Sequence, residues 1–185
     1  FLPAAIVGLI KPLTASYFVR NLSEGLVRVI ILLAYMKLCT CVSDVKRLFS
    51  YHGAEHKTIF CYEHGKELTV ENVREESRFH PRCGTSFLLV VVVVSILVNS
   101  VVRLDNSFAR MGCHLLLLPI VVGISYEINR WCGLHDNWLS AALSAPGKWL
   151  QHLTTNEPDD SMIECAIRAL ELVIPDEKGS DEWGK

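Results

Sequence analysis

The sequence has no glycine-rich phosphate loop, no internal repeat and no basic stripe interleaved with aromatics. These absences remove phosphate cradling by a P-loop, repeat architecture and nucleic-acid binding from consideration. Its 18 Lys and Arg against 20 Asp and Glu leave no basic excess to offset the missing stripe. A disulfide framework is equally absent. There are seven cysteines, an odd number, and Cys39, Cys41 and Cys113 fall within apolar stretches. Cys61, Cys83, Cys132 and Cys165 read as thiols on a reducing side of a membrane. Only Cys83 has neighbours that distinguish it from a small buried hydrophobe. No basic region precedes the apolar opening Phe1 to Leu13, which Pro3 and Pro12 interrupt. It therefore reads as the end of a longer span rather than as a signal peptide.

What the chain has in quantity is apolar length. Ser86 to Val102, with five consecutive valines from Val90 to Val94, and Gly112 to Ile128 are almost uninterrupted apolar runs. As helices each would be about 25 Å long, at the short end of what crosses a hydrocarbon core of about 30 Å. Valine favours strands, but the runs are longer than ordinary strands and no hairpin repeat accompanies them. A hydrophobic fraction of 50% and mean hydropathy of +0.29 weigh against two buried helices of a soluble domain. Glu24 to Ser43 reads as a third span in which Glu24 and Arg28, four apart, pair on one face while Lys37 snorkels.

The expected fold class is an all-α integral membrane protein: a helical bundle with an inner-side His/Cys-rich loop and amphipathic C-terminal helices. Residues 1–43 supply the N-terminal fragment and first span, 44–85 the loop, and 86–128 two spans. Residues 129–174 form an interfacial and amphipathic region and 175–185 a flexible polar tail. The loop holds Lys46, Arg47, Lys57, Lys66, Arg74, Arg78 and Arg82, whereas the turn after the valine-rich span holds Arg110. The bias of basic residues places the loop on the cytoplasmic, stromal or matrix side of a bacterial plasma membrane or a plant or algal organelle membrane. Two further spans return the chain to that side, bringing Glu127 and the C-terminal residues beside the loop.

Within the loop, Asp44 to Phe60 reads as helix. It carries His52-Gly53-Ala54-Glu55-His56, the H-x-x-E-H spacing of inverted zinc peptidases. Histidines four apart share a helical face and can hold a divalent ion, with Glu55 placed to take a proton from its water. Downstream, His80-Pro81-Arg82-Cys83-Gly84 forms a hook in which an imidazole and a thiolate, both zinc donors, stand three apart. His52, His56, His80 and Cys83 together would close a structural site, whereas catalysis needs one position left for water. Arg82 and Lys57 could stabilise an anion or merely face lipid headgroups. Glu67 to Val73 reads as a turn entering a short helix capped by Thr69, and Asn156 as the cap of a helix from Glu157 to Val173. Trp131, Trp138 and Trp149 supply interfacial anchors around Pro146-Gly147.

The strings Tyr51–Lys57 (YHGAEHK), Glu67–Val73 (ELTVENV) and Arg78–Phe87 (RFHPRCGTSF) resemble the DUF1385 family. So do Asn21–Arg28 (NLSEGLVR), Gly123–Glu127 (GISYE) and Leu150–Pro158 (LQHLTTNEP). The resemblance covers about Asn21 to Val173 and implies a multi-pass membrane protein, a metal-dependent enzyme without an established substrate. At the matching positions it implies His52, Glu55, His56, His80, Cys83 and Glu127 as site residues, and an N-terminus shorter than in fuller members.

The expectation for function is a membrane-embedded zinc-dependent hydrolase, a peptidase at the inner membrane surface. Glu55 would be the base, and Zn2+ or another divalent metal would be held by His52, His56 and a third ligand from His80, Cys83 or Glu127. The alternatives are a noncatalytic membrane scaffold or assembly protein built on a structural metal or histidine cluster, and a small-solute transporter component. The expected partners are the lipid bilayer and other membrane proteins or further copies of the chain, without nucleic acid.

Overall fold

The computed structural model describes residues 2–9, 16–104, 106–135 and 137–175. Apart from Pro175, the polar tail expected at 175–185 lies outside the described residues. The described residues form eight helices and no strand: α1 (Leu2–Gly8), α2 (Tyr17–Cys39), α3 (Ser43–Glu63), α4 (Val70–Glu75), α5 (Gly84–Ser100), α6 (Ser107–Leu134), α7 (Trp138–Thr154) and α8 (Asp160–Glu171). The all-helical expectation holds, including the valine-rich run, where continuous apolar packing outweighs the modest helix penalty of β-branching.

The helices form two groups. In an apolar bundle, α5 packs against α2, α6 and α7, and α1 rests on α2. Close approach needs small residues. A Cβ on Gly25 would lie 2.5 Å from Ile96 Cγ1, and one on Gly147 2.6 Å from Ser86 Cβ. The second group is α3, α4 and α8, closed around Ala54, Cys61, Val73, Ile163 and Ile167.

Several boundaries differ from the sequence reading. The span expected at 24–43 is a helix from Tyr17 to Cys39 that contains Glu24 and Arg28, and the chain then bends by 100° into α3. Residues 112–128 belong to a longer helix whose N-cap, Asn106, accepts N–H bonds from Phe108 and Ala109 at 2.9 and 3.1 Å. Residues around Pro146-Gly147 lie inside one helix, opened by a capping box of Asn137 and Ser140. Thr69 caps α4 as expected, accepting from Asn72 N at 3.3 Å. Asn156 does not cap α8. Pro158 disfavours helical backbone at Glu157, so the helix starts later, with Asp159 accepting from Met162 N at 3.0 Å. Asn156 instead ties to α3, its backbone N–H donating to Phe49 O at 2.9 Å and its side chain to Lys46 O at 3.1 Å.

Among the described residues one helical stretch, Phe108–Leu134, is by itself long and apolar enough to cross a membrane. The bent pair α2 and α3 passes the same test only jointly, and α5 is apolar but shorter, at 17 residues.

Candidate functional site

The site forms where the two groups of helices meet. On α3, His52 and His56 are one turn apart and their rings lie 4.3 Å centroid to centroid. His52 Nδ1 is 2.8 Å from the Thr154 carbonyl at the end of α7, and His56 Nδ1 is 2.6 Å from the Arg78 carbonyl. A carbonyl oxygen only accepts, so each Nδ1 carries a hydrogen, and in the neutral rings both Nε2 lone pairs are available. Outer partners of this kind orient histidine ligands in metal sites. Gly53 permits the arrangement, since a Cβ there would lie 2.1 Å from the Asn156 carbonyl oxygen. The glycine that weakens helix propensity is thus the point where α3 and the segment after α7 touch.

Cys83 is the N-cap of α5. Its Sγ lies 3.2 Å from His52 Nε2, 3.1 Å from Thr85 Oγ1 and 3.4 Å from Thr85 N. One ligand atom each from His52, His56 and Cys83 lie within 4.8 Å of one another. Burial pushes the Cys83 thiol up, but hydrogen bonds with His52, His56 and Thr85 outweigh it and bring the pKa to about 5. The hydrogen bond with Cys83 correspondingly raises His52, against the effect of burial. Two imidazoles and a readily ionised thiol are a donor set suited to zinc.

His80 is not part of this triplet. Gln151, itself fully buried, accepts from His80 N at 2.8 Å and donates to His80 O at 2.7 Å and to Ser86 Oγ at 2.7 Å. That clamp sets the ring so that Nε2 faces Glu63 Oε2 at 3.3 Å and Nδ1 accepts from Arg82 N at 3.3 Å. Both ring nitrogens are engaged away from Cys83. Glu127 stands on α6 with its side chain 67% exposed and pairs with Arg130 at 3.8 Å, outside the triplet. Glu55 is exposed on α3 and, with Glu63, His80, Arg82 and the triplet itself, lines a cleft of about 260 Å³. Arg82 also pairs with Glu63.

Lys57, a candidate for anion stabilisation by its sequence position, is buried. It donates to the Arg74 and Glu76 carbonyls at 3.0 and 2.8 Å and pairs with Glu157 at 3.1 Å, fastening α3 to α4 and to the segment before α8. His64 pairs with Glu76, and Cys61 belongs to the apolar core of α3, α4 and α8. Sequence reasoning missed Gln151, Thr154, Glu63 and Thr85. The first two lie in the string Leu150–Pro158, whose resemblance to the family was the one available signal.

A family model described as "Protein of unknown function (DUF1385)" matches residues 1–176. The chain is similar to a protein of Bacillus subtilis (strain 168) described as "Uncharacterized protein YqhQ". They are 38% identical over 173 residues, 93% of this chain and 54% of the relative. The chain thus spans about half the length of the curated relative it matches. No solved structure matches the chain.

Proposed function

This chain belongs to the DUF1385 family, and we propose that it is a membrane-embedded, metal-dependent hydrolase working at the inner membrane surface, with peptides as its first substrate class. The observation that carries the reading is the triplet His52, His56 and Cys83, with both imidazoles anchored through Nδ1 and a cleft beside it lined by Glu55. If His52, His56 and Cys83 held a zinc ion, three protein ligands would suit a catalytic site better than a structural one. A zinc ion there supplies Lewis acidity and makes a water easier to deprotonate. Glu55 accepts the proton from the attacking water and delivers it to the leaving group. Arg82, held by Glu63, offers a positive charge at the cleft wall for a developing oxyanion.

The membrane setting is supported by apolar side chains turned outward on every bundle helix: Leu26 and Ile30 on α2, Leu97 on α5, Leu115 and Leu116 on α6, Trp138 and Trp149 on α7. In water such a surface would drive aggregation, whereas hydrocarbon accepts it. The seven basic residues between Lys46 and Arg82 support an inner-side location for the site.

A second reading has its own support. His52 and Cys83 are already hydrogen-bonded to each other, so the cluster can serve as a structural joint of a noncatalytic scaffold. Glu55→Gln separates the two. If the enzyme reading is correct, the variant keeps about one zinc per chain by elemental analysis but lets a substrate accumulate in a membrane proteome comparison. Equal proteomes and full rescue of a deletion phenotype by the variant would reject catalysis. Absence of zinc from gently purified protein, with no uptake on titration, would reject the metal.

A further inference from the structure

A second polar cluster lies inside the bundle, in the halves of α2 and α6 away from the metal-type triplet. Glu24, 4% exposed at its side chain, is 3.2 Å from Arg110 Nη1 and 4.0 Å from Arg28 Nη2. With His114, these residues line a pocket of about 150 Å³, closed on one side by Pro3 and Ala4 of α1. That is several times the roughly 30 Å³ of one water. The charges do not balance: among the described residues lining the pocket there is one carboxylate for two guanidinium groups. Glu24 engages Arg110 closely, while Arg28 stands at the limit of an ion pair. His114 Nε2 is buried and has no hydrogen-bond partner among the described residues.

The Arg28 guanidinium, 38% exposed at its side chain, faces the pocket at long range from its one carboxylate, and a buried ring nitrogen without a partner is costly. One ligand would engage both. We propose that this pocket binds a single oxyanion group, a carboxylate or phosphate, between Arg28, Arg110 and His114 Nε2. Its oxygens would accept from the guanidinium donors that Glu24 does not occupy, and from the imidazole N–H. The group can arrive on an anionic lipid headgroup or as a free anion, and the proposal does not depend on the hydrolase reading.

The test uses delipidated protein reconstituted in phosphatidylcholine nanodiscs, with thermal unfolding as the readout. One arm titrates inorganic phosphate or acetate; the other replaces part of the lipid with phosphatidylglycerol. Saturable stabilisation is expected in at least one arm, because a ligand specific to the folded state raises its stability. A response confined to phosphatidylglycerol assigns the site to a lipid headgroup, and one confined to the soluble anions assigns it to a free ion. Arg28→Gln should weaken the response about tenfold, the loss expected from removing one charged contact, while Lys37→Gln, an exposed cation on the same helix, leaves it intact. His114→Ala serves the same purpose should Arg28→Gln fail to fold. No saturable response in either arm would overturn the proposal, as would equal responses in wild type, Arg28→Gln and His114→Ala, or an equal loss in Lys37→Gln.

Discussion

The apolar bundle and the α3–α4–α8 unit place their large apolar side chains differently. Ile163 is 1% exposed at the centre of the α3–α4–α8 unit, whose outer face carries the ion pair Arg74–Asp160 at 2.7 Å. In the bundle Leu116 is 80% exposed, while Glu24, Asn21 and Asn99 are turned inward. Asn21 Nδ2 donates to the Asn99 and Val102 carbonyls at 3.0 Å, tying α2 to the end of α5. The α3–α4–α8 unit keeps its large apolar side chains inside, whereas the bundle turns many of them outward. The triplet spans the junction: its two histidines come from the α3–α4–α8 unit, its cysteine from the cap of a bundle helix, and one orienting carbonyl from α7. A site so built depends on the docking of the two parts, not on either alone.

The contrast can be broken most strongly from inside the α3–α4–α8 unit. Ile163→Ala removes a fully buried side chain from its small core and should cost about 4 kcal/mol. Hydrogen exchange should show protection lost in α3, α4 and α8 but kept in α5 and α6. Loss spread evenly over both groups would mean that they unfold as one.

Gly53→Ala strikes the junction itself. The added methyl cannot share space with the Asn156 carbonyl, so α3 and the segment after α7 must separate, at about 3 kcal/mol. Zinc content should fall along with the denaturation midpoint, because His52 loses the Thr154 carbonyl that orients it. Unchanged zinc uptake would show that the carbonyl is dispensable.

Acid should sharpen the difference further. The Lys66 hydrogen bond, opposed by burial and aided by His64, holds the Glu76 carboxyl below the usual carboxylate range. Burial pushes Glu63 up, but His80 and Arg82 outweigh it and hold that carboxyl low as well. Depressed carboxylates contribute stability above their unfolded pKa of about 4.3, and that contribution is lost as pH falls through the folded value. Below about pH 4 the α3–α4–α8 unit should therefore lose tertiary structure first, visible as early hydrogen exchange in α3 and α4. Glu76→Gln should flatten this dependence. Simultaneous loss in the bundle would contradict the assignment.

The smallest effect is expected on the outward face of the bundle. Leu116→Ala should change folding stability by no more than about 0.5 kcal/mol in detergent or lipid, because the side chain touches solvent rather than core. A larger loss would place a protein partner or second copy of the chain on that face.

Much of the helical layout was legible because its signals are local. The valine-rich run, the Thr69 cap and the four-residue spacing of His52 and His56 are each read within a few residues. The boundaries of α2 and α8 were not legible in the same way. Glu24 looked like the start of a span because its partner Arg110 lies far along the chain, and Asn156 looked like a cap because its bonds to α3 cannot be seen locally. Glu127 lies in a family-like string of its own, Gly123–Glu127, yet its helix carries it to an exposed position beside Arg130.

By itself the sequence determined the helical class, the family and the pairing of His52 with His56 on one face, because helix periodicity and apolar patterning act over a few residues. Only the tertiary structure decided which of the hook's two donors joins them. Buried polar groups rarely go without a partner. Gln151, seventy-one positions away, satisfies the backbone of His80, and Glu63 and Arg82 take up its ring. Cys83, the neighbouring cap of α5, is the donor left facing the two histidines.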